Sequence, residues 1–265
     1  MGDNHVDVLG RRVDYISFGR GKRALVMIPG RGEGLKSVKG TRLPTSFAFR
    51  QFSKDFTVYM FGRSDDIPQG STTRDMAEEL YLAMKASGID KADILGVSQG
   101  GMIAQWLAVD HPETVGRLIL RVTSARLTEE YIPTLENWIK MAREGRYSDI
   151  MLDTAEKYYT PDYYSKNKLV YGLVTGLVKV KDFTKFIISI KACLGHDCTE
   201  RLTDISARTM VIGASEDRIV GPEASVYLAD NIPGAKLVMI DGYGHGVNDE
   251  YRQFNNIILD FLTGK

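Results

Sequence analysis

The sequence predicts an α/β fold built on a mostly parallel sheet of eight strands. Apolar runs typical of strands alternate along the 265 residues with amphipathic runs typical of helices, and this order produces layered α/β domains. Six of the strand-like runs are almost continuously apolar. Such runs are typical of central parallel strands that are buried on both faces.

The predicted strands begin with an N-terminal pair at residues 6–9 and 12–18. The six buried strands are predicted at residues 24–28, 57–61, 92–97, 118–122, 209–213 and 236–240. Amphipathic patterns predict helices at residues 73–87, 99–111, 223–231 and 249–262.

The stretch from residue 126 to residue 199 interrupts this alternation. It is rich in Tyr and Lys, contains several helix-like runs and offers no convincing buried strand. Because two predicted strands flank it, we predict a helical insertion at residues 126–199, with residues 1–125 and 200–265 forming the core. Aromatic and Met side chains of the insertion are of the type that lines apolar pockets, but their helical spacing favours packing on the core.

Composition excludes several classes of partner. The chain is 43% hydrophobic and 26% charged, which is ordinary for a globular protein, and its formal net charge is zero. Binding of nucleic acid would require a concentrated basic face. No apolar run reaches the roughly 18–20 residues that span a bilayer, and the N-terminus lacks the apolar core of a signal peptide. We therefore expect a cytoplasmic monomer or homodimer that acts on a small molecule, without a nucleic-acid or membrane partner.

Two cysteines, Cys193 and Cys198, are too few for a disulfide scaffold. Together with His196 they resemble a set of metal ligands, but they lack the paired spacing of zinc motifs. We expect ordinary structural residues here, and neither a metal nor an organic cofactor.

A serine lies between glycines where a predicted strand meets a predicted helix. Residues 96–100 match G-x-S-x-G, with Ser98 at the corner and Gly96 and Gly100 two positions away on either side. A direct strand-to-helix turn strains its corner residue and exposes the side chain, and its neighbours must be very small. The motif in this setting favours a nucleophilic Ser98 over a glycine turn with a capping serine.

A serine nucleophile needs a base, and an acid orients that base. Of the four histidines, His245 follows the last predicted strand on a glycine-flanked loop, so it can reach the sheet edge where Ser98 lies. The preceding strand is followed by Asp217, our preferred acid. Glu216 and Asp241 are the rival carboxylates, whereas the loop after Val122 offers none.

These residues resemble the α/β-hydrolase superfamily, whose chain order is Ser, Asp or Glu, then His. The loops at residues 28–32 and 61–65 are also similar to that family, and the resemblance extends from residue 12 to residue 262. It is strongest to the branch of small esterases, lactonases and C–C hydrolases. It implies helices on both faces of the sheet and a helical cap at residues 126–199.

The resemblance also implies an oxyanion hole made of two backbone amides. One is the amide of Gln99 and the other lies in the loop after the first central strand. Many relatives have His-Gly-X there, whereas this chain has Pro29, Gly30 and Arg31, so the Arg31 amide aligns with X. We expect the Arg31 side chain to be a solvated surface arginine; binding of a substrate carboxylate or phosphate is the alternative.

The resulting expectation is a serine hydrolase that cleaves a small or medium ester, lactone or thioester through an acyl-enzyme. C–C bond hydrolysis or acyl transfer on the same fold is the nearer alternative. A ligand sensor that keeps the three residues without turnover is the more distant one, because fold does not determine function.

Overall fold

The computed structural model describes residues 3–35, 37–178 and 180–264, and its centre is one eight-stranded sheet. In chain order, strands β1 to β8 span Asp3–Val8, Arg11–Gly19, Arg23–Ile28, Phe56–Phe61, Ala92–Val97, Val115–Arg121, Arg208–Ala214 and Lys236–Ile240. Their order across the sheet is β1-β2-β4-β3-β5-β6-β7-β8. The predicted α/β fold with a mostly parallel eight-stranded sheet is confirmed.

Strand direction brings the functional loops together. The pairs from β4 through β3, β5, β6 and β7 to β8 are all parallel, while β2 is antiparallel to both β1 and β4. The carboxyl ends of β3, β5, β6, β7 and β8 therefore lie at the same edge. In open parallel sheets this edge is where ligands bind.

Within the described ranges, ten α-helices accompany the sheet. Helices α1 to α10 span Arg42–Ala48, Thr73–Ala86, Gln99–Asp110, Ile132–Arg143, Tyr147–Tyr158, Pro161–Leu177, Thr184–Leu194, Pro222–Asn231, Val247–Glu250 and Phe254–Thr263. None of them is both long enough and apolar enough to cross a bilayer, among the residues so described.

The sheet separates two hydrophobic clusters. One contains side chains of α2, α3 and α8, such as Met84 and Leu107, packed on one face. The other contains α10 and the segment before β4, with Phe52, Phe56 and Phe254 almost fully buried. Burial of these large side chains, each contributing roughly 1.5–3 kcal/mol, holds helices on both faces.

Four helices, α4 to α7, lie between β6 and β7, and residues of α4, α5 and α7 form a third apolar cluster that contains the fully buried Trp138 and Phe186. Met102 of α3 belongs to the same cluster, so these inserted helices pack on the core. We refer to residues 132–194 as the inserted helices. Their assignment to a separate cap domain stays a prediction.

Some predicted boundaries were wrong. The first strand ends at Val8, because Leu9 and Gly10 take left-handed φ values of 52° and 71° and form the turn into β2. The predicted helix at residues 249–262 is two helices, since Tyr251 between them has extended backbone and stacks edge-on against Tyr243. The short helix α1 was missed because none of its residues is buried, so it has no apolar face to detect.

His196 connects the end of the inserted helices to the core. Its Nδ1 atom lies 2.8 Å from the Thr73 hydroxyl on α2, and its ring packs edge-on against Trp106. The residue is 2% exposed. Burial disfavours the imidazolium and lowers the pKa of His196 to about 4.

This burial predicts a pH-dependent stability. As pH falls below the ordinary histidine value, the unfolded chain binds a proton at His196 that the folded chain excludes until about pH 4. The linkage costs roughly 2 kcal/mol by pH 5 and nothing above pH 7. Between pH 7.5 and pH 5, the free energy of unfolding measured with urea should fall more for the wild type than for His196→Asn. An equal decrease in both proteins would contradict the role of buried His196 in this pH dependence.

Candidate active site

Ser98 occupies the corner between β5 and α3. Its backbone has φ 52° and ψ −121°, and α3 begins at the next residue, Gln99. A non-glycine residue in this region carries strain of roughly 1–3 kcal/mol, which surrounding contacts must offset. The Ser98 amide donates to the Arg121 carbonyl at 2.9 Å, and the Thr123 hydroxyl donates to the Ser98 carbonyl at 2.7 Å. Strand β6 and the loop that follows it therefore hold both the amide and the carbonyl of Ser98.

Two glycines make room for this corner. A Cβ atom at Gly100 would lie 2.1 Å from the carbonyl oxygen of Ile28, the last residue of β3. At Gly96 it would lie 2.5 Å from the Gly100 carbonyl oxygen. Both distances are shorter than any real Cβ contact, so each glycine is a steric requirement of the turn.

His245 and Asp217 form a buried pair. His245 lies on the loop between β8 and α9, and its Nδ1 atom is 2.8 Å from Asp217 Oδ2. The two residues are 2% and 4% exposed. The other oxygen, Oδ1, accepts hydrogen bonds from the amides of Ile219 at 2.8 Å and Val220 at 3.2 Å. The carboxylate thus has partners on both oxygens and holds the Nδ1 edge of the imidazole.

The pKa of Asp217 is lowered despite its burial. Burial alone raises it, but the nearby charge of His245, its hydrogen bond, and the two amide donors outweigh that effect. The rival carboxylates Glu216 and Asp241 are both exposed. The structure therefore pairs His245 with the carboxylate that the sequence favoured.

Ser98 and His245 line the same cavity of about 410 Å³ at the carboxyl edge of the sheet. Loop residues Gly30 and Arg31 line it on one side, and α5 contributes further side chains. The residues from α5 are Tyr147, Met151, Thr154, Ala155 and Tyr158. Ser98 and His245, which are distant in sequence, thus lie at one site, and Asp217 is connected to it by its hydrogen bond to His245.

The loop after β3 runs beside Ser98. A Cβ atom on Gly30 would lie 3.4 Å from the Ser98 Cβ. Arg63, from the loop after β4, donates to the carbonyl oxygens of Pro29 at 2.6 Å and Gly30 at 3.2 Å. These two bonds fix the peptide that precedes the Arg31 amide. Gln99 begins α3, and amides in the first turn of a helix have no acceptor within it.

The Arg31 side chain is half-buried against the inserted helices, which corrects the expectation of a solvated surface arginine. Its guanidinium stacks over the Trp138 ring at 3.7 Å and donates to the Thr154 hydroxyl at 3.0 Å. Burial lowers the pKa of Arg31 to about 10, so it remains charged at neutral pH. The prediction was wrong because the inserted helices that cover Arg31 are remote from it in sequence.

Sequence reasoning also missed the role of Tyr158, the last residue of α5. Its carbonyl accepts a hydrogen bond from the Gly246 amide at 2.6 Å, and its ring lies edge-on to the His245 ring at 5.3 Å. Both contacts hold the histidine loop. We expected the tyrosines of the insertion to pack on the core, yet Tyr158 and Tyr159 line the cavity. No local pattern distinguishes them from the other tyrosines of the insertion.

In the described part of the chain, no group of three or more His, Cys, Asp or Glu side chains is arranged to hold a metal ion. Cys193 and Cys198 are free and buried. Burial raises the pKa of their thiols, to about 11 and about 12 respectively. Protonated, enclosed thiols are neither nucleophiles nor metal ligands.

A mostly parallel sheet with a serine at a strand-to-helix turn after a central strand is the architecture of α/β hydrolases. The family model described as alpha/beta hydrolase fold matches residues 23–250, and the chain belongs to this family. The resemblance inferred from the sequence is thereby confirmed.

Individual relatives are distant but cover nearly the whole chain. A 2-hydroxy-6-oxononadienedioate/2-hydroxy-6-oxononatrienedioate hydrolase of Paraburkholderia phymatum is 28% identical over 264 residues, covering 95% of this chain and 91% of the relative. The crystal structure of MGS-M2, an α/β-hydrolase enzyme from a Medee basin deep-sea metagenome library, has a TM-score of 0.86 at 22% identity, covering 98% and 97% of the two chains. The enol-lactonase from Burkholderia xenovorans LB400 has a TM-score of 0.83 at 21% identity, covering 98% and 100%. The two structural likenesses show the shared fold.

Substitution of Gly100 tests the steric basis of the turn. In Gly100→Ala the new methyl group meets the backbone of Ile28 and Pro29, so we expect a loss of roughly 1–3 kcal/mol in the free energy of unfolding. In Gly172→Ala, on helix α6, the new Cβ atom would have no neighbouring atom within 4 Å. We expect its free energy of unfolding to rise by roughly 0.5–1 kcal/mol. Urea unfolding measures both, and a Gly100→Ala protein as stable as the wild type would refute the close approach.

Substitution of Asp217 tests the buried pair. Asp217→Asn keeps the shape but presents an amide to the ring, favours the wrong tautomer and removes the charge that stabilises the imidazolium. We expect kcat/KM for 4-nitrophenyl acetate to fall roughly 10³- to 10⁴-fold, as for a buried acid of this kind. Glu216→Gln changes the exposed neighbouring carboxylate and should stay within threefold of the wild type. Equal activity in the two variants would exclude Asp217 as the orienting acid.

Proposed function

We propose that this chain is a serine hydrolase in which Ser98 is the nucleophile, His245 the base and Asp217 the acid. The observation that carries the proposal is the 2.8 Å His245–Asp217 pair, whose histidine lines the same cavity as the strained, half-buried Ser98. A strained serine and a carboxylate-oriented histidine at one cavity are the parts of an acyl-transfer site.

Each proposed residue has one step in the reaction. His245 removes the hydroxyl proton as Ser98 Oγ attacks the substrate carbonyl, and Asp217 stabilises the imidazolium. The amides of Gln99 and Arg31 donate to the resulting oxyanion. His245 then protonates the leaving group, and a water molecule, deprotonated by the same imidazole, hydrolyses the acyl-enzyme.

The cavity supports a small or medium substrate. Its volume of about 410 Å³ is in the lower part of the range of ligand pockets, and apolar and aromatic side chains line most of it. An ester, lactone or thioester of that size is our first candidate. The chemistry uses only protein groups and water.

C–C bond hydrolysis is the second candidate. The observation that favours it is the relative from Paraburkholderia phymatum, which is named for hydrolysis of 2-hydroxy-6-oxononadienedioate and aligns over 95% of this chain. With the same three residues, Ser98 Oγ can attack a ketone carbonyl, and the C–C bond then breaks if His245 delivers its proton to the carbon leaving group. Comparing kcat/KM for that compound and for 4-nitrophenyl acetate discriminates the two reactions.

Covalent labelling tests the proposed nucleophile. A fluorophosphonate probe should modify Ser98 stoichiometrically, as mapped by mass spectrometry, because only an activated serine displaces fluoride readily. Ser98→Ala should lose both labelling and at least 10³-fold of esterase activity, the order expected for a nucleophile. The control Ser165→Ala, on an exposed part of α6, should keep both.

Labelling at another serine, or full activity in Ser98→Ala, would refute the proposal. A ligand sensor would instead show one covalent event without multiple turnover on a panel of esters and lactones. Circular dichroism of each variant establishes that it is folded.

A further inference from the structure

We infer that the side chain of Arg31 binds a carboxylate of the substrate, so that the preferred substrates are anionic acyl compounds. This inference rests on the proposed function, because it uses the same cavity. It concerns the guanidinium, whereas the proposed oxyanion donor is the Arg31 backbone amide. Variants of the side chain therefore leave that amide in place.

The first observation is that the guanidinium lacks an anionic partner. Among the described residues no carboxylate forms an ion pair with Arg31, and its one hydrogen bond from the guanidinium goes to the neutral Thr154 hydroxyl. A guanidinium has five N–H donors in a planar fork. Most of that donor capacity is therefore left for a ligand.

The second observation is that aromatic side chains pack against this half-buried charge. Trp138 lies against one face of the guanidinium at 3.7 Å, and the Phe186 ring is 5.8 Å away. Burial has lowered the pKa of Arg31 only to about 10, so the cation persists at neutral pH. Removing a cation even partly from water is costly unless it is paired, and the aromatic contact offsets only part of that cost. An anion entering the cavity would supply the missing partner.

The other charged groups of the cavity do not supply it. Asp249 also lines the cavity, but its nearby charged residues are Arg121 and Glu250, and it accepts a hydrogen bond from the Tyr159 hydroxyl at 3.0 Å. Burial raises the pKa of Asp249. His245 is held by Asp217. Asp153, the carboxylate whose charge acts on Arg31, is held by the Lys157 ammonium and by the Trp138 indole N–H at 2.7 Å. Arg31 is thus left without an ion-pair partner within the described ranges.

The chemistry of the site favours a carboxylate over a phosphate. A carboxylate is planar, carries a single charge and matches the guanidinium fork through two parallel hydrogen bonds. A phosphate dianion would require further cationic donors, and apart from His245 the described residues that line the cavity include no basic side chain besides Arg31. The scissile carbonyl would lie at Ser98 while the carboxylate lies at Arg31 in the same cavity.

A matched pair of esters tests the inference. 4-Nitrophenyl hydrogen adipate carries a terminal carboxylate, and its methyl ester is the neutral counterpart. We expect Arg31→Met to lower kcat/KM for the anionic ester roughly 10- to 100-fold more than it lowers kcat/KM for the neutral ester, the range for losing a charge-assisted hydrogen bond. Arg31→Lys should recover part of the loss, and the exposed Arg143→Met should match the wild type.

Calorimetry gives a readout that does not require turnover. Adipate should bind Ser98→Ala at least tenfold more tightly than the double variant Ser98→Ala/Arg31→Met, and hexanamide should not discriminate them. Equal losses for both esters, or unchanged adipate affinity, would make Arg31 a structural residue and overturn the inference. A protein that labels nowhere and hydrolyses neither ester would refute the serine-hydrolase proposal, and calorimetry would then decide the role of Arg31 alone.

Discussion

The close contact between the start of α3 and the end of β3 is the constraint on which the site depends. Gly100 lies directly against the Ile28 carbonyl, and this approach lets α3 begin at the residue after the corner. Ser98 must then take a left-handed φ, a cost that the hydrogen bonds to Arg121 and from Thr123 offset. A side chain at Gly100 would move the helix, and with it both the hydroxyl and the first amides of α3.

Much of the core follows from local patterns, and the exceptions have tertiary causes. Buried parallel strands require continuous apolar runs, so β3 to β8 were predictable to within a few residues. Tyr251 ends a helix because its ring packs on Tyr243, a contact that no local pattern contains. Val122, with φ 42°, is a β-branched residue in a conformation that sequence reasoning assigns to glycine. Its amide donates to the Ile212 carbonyl at 2.8 Å, so the neighbouring strand imposes that conformation.

The candidate site was predictable where chain connectivity determines position. Ser98, Asp217 and His245 each follow a parallel strand, so their loops must lie at one edge. Adjacent side chains point in different directions, so Asp217 and Glu216 cannot both face His245, and the tertiary structure decides between them by burying Asp217. The packing of Arg31 on Trp138 and the contacts of Tyr158 were not predictable. They depend on how the inserted helices pack, and a helix pattern defines an apolar face without defining which surface it covers.

The helix α5 contacts both parts of the proposed machinery. Tyr158 at its end holds the loop of His245 through a 2.6 Å hydrogen bond to the Gly246 amide, and Thr154 one turn earlier binds Arg31. Arg31 in turn contributes the proposed oxyanion amide through its backbone. A ligand that changes the Arg31–Thr154 contact therefore acts on a helix that also positions the proposed base. Substrate recognition and the chemical step thus share one structural element, which explains why residues of an insertion remote in sequence belong to the site.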